Sequence, residues 1–327
     1  DGIRDSSVTG VQTCALPILT LGDVQAFVQY SRQFGMPLAQ IAGLMNLVQS
    51  GVASAERVFE LLDAPEEEPD KKESKSIGRA KGEIAFENIK FSYTPDKPLI
   101  QDFSLKVKQG ETVAIVGPTG AGKTTLVNLL MRFYEVQGGR ITLDGIDTRE
   151  LSRDELRKQF GMVLQDTWLF TGSIKENIAF GAFDPSEDVI SKAAGAANID
   201  HFIRSLPEGY ETKLTDDSAA ISNGERQLLT IARAFIADPA ILILDEATSS
   251  VDTRTEVLVQ QAMKRLRAGR TSFVIAHRLS TIRDADVILV MDKGGLVEQG
   301  THQELMTKRG FYFNLYSSQF SEAGEVA

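Results

Sequence analysis

The spacing of apolar and polar positions divides the chain into four regions. Residues 1–18 follow no regular period, whereas apolar residues between Leu19 and Leu62 recur at helical spacing. The clearest run is Ile41, Leu44, Met45, Val48 and Val52. Residues 63–82 are charged and interrupted by proline, which predicts a linker or solvated loop. From Glu83 onward, short strand patterns alternate with helical ones.

Two kinds of strand pattern occur after Glu83. The alternating runs EIAFENIKFSY (83–93) and FSLKVKQ (103–109) predict half-buried strands of an antiparallel sheet. The continuous apolar runs TVAIVG (112–117) and AILILDE (240–246) predict strands buried on both faces of a mixed or parallel sheet. A helical pattern dominates at about 166–235. Together these patterns predict one α/β domain with a mixed sheet core, an antiparallel β subdomain and a helical subdomain, preceded by one long helix.

Composition narrows the class of protein. The 327 residues are 42% hydrophobic and 24% charged, as in globular proteins. A net charge of -10 argues against a nucleic-acid partner, because phosphate contacts need clustered Lys and Arg. A single cysteine, Cys14, excludes an internal disulfide and a cysteine-rich metal site. His201 and His302 lie in polar stretches that predict exposure, and neither is given a functional role.

The segment GPTGAGKT (117–124) carries the strongest chemical signal. It follows an apolar strand and opens a helical pattern, and it matches the spacing G-x-x-x-x-G-K-[ST]. Glycines let successive backbone N–H groups surround phosphate oxygens at the positive end of a helix. We therefore expect Lys123 to reach the β- and γ-phosphates and the Thr124 hydroxyl to bind Mg²⁺.

A second segment supplies carboxylates at a strand end. The strand in AILILDE ends at Asp245, and Glu246 follows it. We expect Asp245 to hold Mg²⁺, directly or through water, and Glu246 to polarise the attacking water.

Five further motifs extend this pattern along the chain. They are FSYTPDKPLIQDFSL (91–105), GMVLQDTWLF (161–170), ISNGERQLLTIARA (221–234), SSVD (249–252) and IAHR (275–278). With the two segments above, they make residues 83–323 resemble the nucleotide-binding domain of ATP-binding cassette (ABC) transporters. The resemblance implies a P-loop NTPase of ABC type, with ATP and Mg²⁺ as cofactors.

The resemblance also assigns roles to individual residues. Tyr93 would stack the adenine, Gln165 would contact Mg²⁺ and the attacking water, and His277 would contact the γ-phosphate. Trp168, beside Gln165, could face the membrane domain or could serve packing. The ATP-binding residues would be Tyr93, Gly117, Pro118, Thr119, Gly120, Ala121, Gly122, Lys123, Thr124 and Thr125. The catalytic residues would be Glu246, His277, Gln165 and Lys123, the Mg²⁺ ligands Thr124, Gln165 and Asp245, and the dimer-interface loop Ser249, Ser250, Val251 and Asp252.

The signature segment departs from the family pattern Leu-Ser-Gly-Gly-Gln. Ser222 and Gly224 match it, but Asn223 replaces the first Gly and Glu225 replaces Gln. In the family this helix start faces the ATP of the other subunit, so two domains would dimerise head to tail. A carboxylate near a triphosphate is unfavourable unless it turns away or is paired, for example with Arg226. Glu225 either points elsewhere or weakens the signature, as in two-chain exporters with one degenerate site.

The first two regions raise the question of how much of a protein this chain represents. Residues 19–63 resemble the last transmembrane helix of an ABC exporter and its cytoplasmic extension, although an amphipathic helix packed on a soluble domain fits the pattern alone. Residues 64–82 would be the linker. Residues 1–18 resemble translated sequencing-adaptor sequence, so we expect the chain to be the C-terminal fragment of a longer protein.

The resemblance implies a function in transport. We expect an ATP hydrolase that powers export at the inner or plasma membrane, with its nucleotide-binding domain on the cytoplasmic side. Its partners would be a second half-transporter, identical or different, and its own transmembrane domain. A soluble ABC-type ATPase and a non-hydrolysing regulatory module are the alternatives.

Overall fold

The chain divides into two units between Pro69 and Asp70. The computed structural model describes residues 20–64, 66–67, 69–71, 73–164, 167–214, 221–245, 253–276 and 279–320. Residues 1–18, interpreted above as foreign sequence, lie outside the described residues.

The first unit contains one helix, α1, over Leu21–Leu62. Thr20 caps it: its hydroxyl accepts a hydrogen bond from the Asp23 N–H (3.2 Å), and the Asp23 carboxylate accepts one from the Thr20 N–H (2.8 Å). Such reciprocal bonds satisfy N–H groups that the first turn leaves without helical partners. The predicted long helix is confirmed. In the described part of the chain, no helix combines the length and the apolar content needed to cross a membrane.

The second unit is an α/β structure. Its strands are β1 Ile84–Phe91, β2 Ile100–Val107, β3 Thr112–Val116, β4 Gly138–Leu143, β5 Ile146–Asp147, β6 Phe160–Val163, β7 Gly172–Ser173, β8 Lys213–Leu214, β9 Ile241–Asp245, β10 Thr271–Ile275, β11 Val287–Asp292 and β12 Gly295–Gly300. Its helices are α2 Lys123–Leu130, α3 Arg153–Arg157, α4 Ile174–Ala179, α5 Glu187–Ala196, α6 Asp200–Ser205, α7 Asn223–Ala237, α8 Thr253–Arg267, α9 Leu279–Arg283, α10 His302–Lys308 and α11 Phe311–Phe320.

Ten of the twelve described strands form a mixed core sheet and a smaller antiparallel sheet, and β7 pairs with β8 in a third, two-stranded sheet. The core sheet has the order β12-β11-β3-β10-β9-β6, in which only the β11–β12 pair is antiparallel among the described strands. The antiparallel sheet has the order β2-β1-β4-β5. Because β3, β10 and β9 run parallel, their carboxyl ends meet at one edge of the core sheet. The predicted mixed core with an antiparallel β subdomain is confirmed.

Two apolar layers cover the faces of the core sheet, which explains its continuous apolar strands. Ala114 and Val116 of β3 pack into the layer formed with the helices that include α4, α5 and α7. Val113 and Ile115 of the same strand pack into the other layer, with the antiparallel sheet and α2. Successive side chains of a strand point to opposite faces, so a strand covered on both sides needs apolar residues at every position.

Residues 70–71 and 73–83, most of which belong to the predicted linker, form a segment that we call the strap. The strap belongs to the second unit. The Asp144 carboxylate accepts hydrogen bonds from the N–H groups of Lys81, Gly82 and Glu83 (2.6, 3.0 and 2.9 Å). The Gln159 side chain bonds the Ala80 N–H (2.9 Å) and the carbonyl of Gly78 (2.7 Å). The strap is charged yet ordered because side chains from elsewhere in the unit satisfy its backbone.

Candidate nucleotide-binding site

A glycine-rich loop joins β3 to α2 at the carboxyl edge of the core sheet. Gly120 and Gly122 adopt φ angles of 80° and 95°, a left-handed conformation that favours glycine. At Gly117, an added Cβ atom would lie 2.2 Å from the Met291 carbonyl oxygen, so only glycine fits there. The loop leads directly into the amino end of α2. The partial positive charge at that end of the helix favours a bound anion.

Lys123 places a cation on this loop. Its Nζ donates hydrogen bonds to the carbonyl oxygens of Gly117 (2.7 Å) and Pro118 (3.0 Å). Burial lowers the pKa of Lys123, while the nearby Asp245 carboxylate acts in the opposite direction as the weaker cause. A half-buried ammonium interacts more strongly with an incoming phosphate than one that is fully in water.

Asp245 lies at the same edge of the sheet as the loop. It is the last residue of β9 and pairs in register with Ile275 of β10, which in turn pairs with Ile115 of β3. Thr124 lies in the first turn of α2 and is exposed. A hydroxyl and a carboxylate are hard oxygen donors of the kind that Mg²⁺ takes together with phosphate oxygens, so these residues fit the predicted ion.

Tyr93 lies beside α2. Its hydroxyl donates a hydrogen bond to Thr125 Oγ1 (3.2 Å), and half of its side chain is exposed. The structure thus brings the predicted base platform next to the helix that begins at the phosphate loop.

The signature segment forms the start of α7, with Ser222 as its cap. The Ser222 N–H and hydroxyl both donate to Glu225 Oε2 (2.8 Å each), and the Glu225 N–H donates to Ser222 Oγ (3.3 Å). The carboxylate of Glu225 is therefore turned back onto its own helix cap. Asn223 is exposed and Gly224 is buried in the first turn.

Several predicted site residues lie outside the described residues. They are Gln165, Glu246, Ser249, Ser250, Val251, Asp252 and His277. Their assigned roles stay predictions.

An open apolar groove of about 320 Å³ lies on the helical side of the domain. Leu164, Trp168 and Phe180 line it with largely exposed side chains. The guanidinium of Arg233 lies 5.5 Å from the centre of the Phe180 ring and donates to the carbonyls of Asn177 (2.9 Å) and Trp168 (3.2 Å). Of these residues, sequence reasoning identified only Trp168. The signal that could have indicated the groove is Arg233, the one charged residue in the mostly apolar stretch 228–236.

Comparison with known proteins places this site in a family. Residues 100–249 match the family model described as ABC transporter. A Mycobacterium tuberculosis protein named fatty acid ABC transporter ATP-binding/permease protein is 58% identical over 309 residues, which cover 94% of this chain and 49% of the relative. The ATP-dependent lipid A-core flippase of Syntrophus aciditrophicus is 47% identical over 286 residues, covering 88% of this chain and 47% of the flippase.

A solved structure shows the same fold. The structure of a bacterial Atm1-family ABC exporter with ATP bound matches with a TM-score of 0.74 and 38% identity, covering 94% of this chain and 54% of the exporter chain. The chain spans about half the length of the curated relatives named above. Sequence, site geometry and relatives agree: the chain carries an ATP-binding domain of the ABC transporter family.

Proposed function

We propose that this chain hydrolyses ATP to power export of a substrate across a membrane. The observation that carries the proposal is the meeting of a phosphate loop, its lysine and the Asp245 carboxylate at one edge of the core sheet. Phosphoryl transfer needs chiefly positioning and compensation of charge, and these groups supply both.

The residues of the proposed site have separate roles in binding and hydrolysis. Lys123 and the loop backbone bind the phosphates, and Tyr93 holds the base. Thr124, Asp245 and Gln165 would hold Mg²⁺, which when bound supplies neutralisation of phosphate charge. Glu246 accepts a proton from the attacking water, and His277 donates a hydrogen bond to the γ-phosphate.

A working site needs a second domain. In our proposal, Ser222, Asn223, Gly224 and Glu225 at the start of α7 face the triphosphate bound by a partner domain, and residues 249–252 line the interface. The position of Ser222 as a helix cap supports this arrangement, because a helix start attracts anions. Two domains arranged head to tail then complete each other's sites.

The groove beside Trp168 would receive the permease. Relatives named ATP-binding/permease proteins carry both functions in a chain about twice as long as this one. Exposed aromatic side chains at a concave surface are typical of a protein contact. We propose that the permease part docks there, with this domain on the cytoplasmic face of the membrane, where ATP is available, and α1 as its membrane-adjacent helix.

Hydrolysis measured over a wide range of protein concentration tests the proposal. With Mg²⁺ and ATP, activity per molecule of the full chain should rise with concentration, because sites form only between domains. Glu246→Gln should retain ATP binding and lose turnover. Binding without turnover at every concentration would contradict hydrolysis by identical chains, and rescue by a chain with an intact Leu-Ser-Gly-Gly-Gln signature would indicate a heterodimer.

A further inference from the structure

The segment that joins α2 to β4, residues 131–137, makes hydrogen bonds to the backbone next to Tyr93. Gln137 lies at the end of this segment, and Ser92 immediately precedes Tyr93. Gln137 Oε1 accepts hydrogen bonds from the Ser92 N–H (3.0 Å) and the Ser92 hydroxyl (2.9 Å). Gln137 Nε2 donates to the Ser92 carbonyl oxygen (2.8 Å). One amide side chain thus satisfies both backbone groups of a buried residue, as a neighbouring strand would.

The same segment contacts the ring of Tyr93. The Tyr134 ring meets it edge to face, with centroids 5.0 Å apart and an interplanar angle of 88°. Phe91 packs on it in a similar way at 4.9 Å and 84°. Aromatic pairs prefer this geometry and gain energy from it beyond their buried area.

Tyr93 is therefore held next to its backbone, at its ring and at its hydroxyl. Gln137 holds its backbone neighbour, Tyr134 holds its ring, and Thr125 accepts the hydrogen bond of its hydroxyl. The ring nevertheless keeps 49% of its surface exposed. An aromatic ring that is immobile before a ligand arrives loses little entropy when a base stacks on it.

We propose that Gln137 and Tyr134 are positioning residues for recognition of the nucleotide base. The inference rests on the proposed function, in which Tyr93 stacks the adenine. Because the 131–137 segment continues directly from α2, the helix that begins at the phosphate loop also sets the position of the base platform. Base and phosphate recognition thus share one continuous stretch of chain.

Equilibrium binding to the full chain tests the proposal, with ATP and inorganic triphosphate as the two probes. We expect Gln137→Leu and Tyr134→Leu each to weaken ATP binding about tenfold, as expected for loss of a base–aromatic stack. Triphosphate has no base, so its affinity should stay unchanged. Tyr134→Phe keeps the ring edge and should retain ATP affinity. Gln101→Leu, an exposed glutamine on β2, is the matched control.

The Tyr93→Ala background separates the two hypotheses. If Tyr93→Ala weakens ATP but not triphosphate, the platform exists, and adding Gln137→Leu to it should cause no further loss. If Tyr93→Ala leaves ATP affinity unchanged, the base platform of the proposed function is wrong. If Tyr93→Ala weakens ATP but Gln137→Leu and Tyr134→Leu do not, the positioning role is wrong. Equal loss of ATP and triphosphate binding in Gln137→Leu would also overturn it, since the segment would then support the phosphate loop.

Discussion

Glu225 illustrates how the neighbours of one residue decide its effect on a charged ligand. Its carboxylate accepts two hydrogen bonds from Ser222, the residue whose hydroxyl and N–H would otherwise be free to contact a phosphate. A triphosphate that binds to this helix start must compete with that carboxylate. The glutamate that replaces glutamine in the signature is thus accommodated in the fold, and it would oppose the ligand that we propose for this helix start.

Glu225→Gln should improve use of ATP. The amide oxygen can still accept from Ser222, so we expect unchanged thermal stability, whereas loss of the negative charge should lower the KM for ATP several-fold. Glu225→Ala also removes the charge but breaks the cap, and it should lower the free energy of unfolding by about 0.5–1 kcal/mol. ATPase kinetics and thermal unfolding measure both effects. A higher KM in Glu225→Gln would mean that the carboxylate assists the site.

His302 links the stability of the domain to pH. Contrary to the predicted exposure, the ring is half-buried, and Nδ1 lies 2.7 Å from the hydroxyl oxygen of buried Tyr312. Burial lowers the pKa of His302, and the Arg283 charge lowers it further. The neutral imidazole is therefore favoured in the folded state, and the unfolded chain binds the proton more readily as pH falls.

The contribution of neutral His302 to the free energy of unfolding should consequently be complete at neutral pH. It should decrease as the pH falls below about 6.5, the ordinary pKa of histidine. His302→Gln should make the melting temperature less dependent on pH in this range. His201→Gln, at an exposed position on α6, is the matched control. Equal pH dependence in the parent and His302→Gln proteins would contradict this account.

At the scale of elements, a cluster of ion pairs fastens the strap to the start of α3 and to the segment that follows α2. The Asp70 carboxylate accepts hydrogen bonds from the N–H and Nη1 of Arg153 (2.9 Å each). Asp70 also lies 3.4 Å from Arg132 Nη1, two residues beyond the end of α2. Glu135 bonds both arginines, at 2.7 Å from Arg132 and 3.0 Å from Arg153. The point where the chain enters the second unit is thus tied to α3 and to the segment that directly follows the helix of the phosphate loop.

Asp70→Ala should lower the free energy of unfolding by about 1–3 kcal/mol, because it leaves two nearly buried guanidinium groups with less compensating charge. Urea unfolding measures this change, and hydrogen exchange should show faster opening of the strap. Glu66→Ala, at an exposed position outside the second unit, should change neither quantity. An unchanged unfolding midpoint for Asp70→Ala would show that the cluster contributes nothing to stability.

At the scale of the whole molecule, the proposed arrangement divides each site between two chains. The phosphate loop lies at the carboxyl edge of the core sheet, whereas the start of α7 belongs to the helical part of the same domain. If each site combines the phosphate loop of one chain with the start of α7 of the other chain, two variants that are inactive alone can restore each other's ATPase activity.

A mixture of Lys123→Ala and Ser222→Arg chains should therefore hydrolyse ATP although neither does so alone. Half of randomly formed dimers are mixed, and each mixed dimer has one intact site, so about a quarter of parental activity is expected. Each variant at the same total concentration is the control. A mixture as inactive as its components would contradict shared sites that work independently.

What the sequence determined by itself is local in origin. The phosphate loop, the two kinds of strand and the long helix were predictable because glycine spacing and side-chain periodicity reflect the conformation of neighbouring residues. The tertiary structure decided what depends on segments distant in sequence: the three bonds from Gln137 to Ser92, the strap held by Asp144 and Gln159, and the groove beside Arg233. Even the hydrogen bonds between Glu225 and Ser222, three residues away, depended on the actual helix start. A side chain has several possible partners nearby, and the backbone geometry of the helix start determines which of them lies within hydrogen-bond distance.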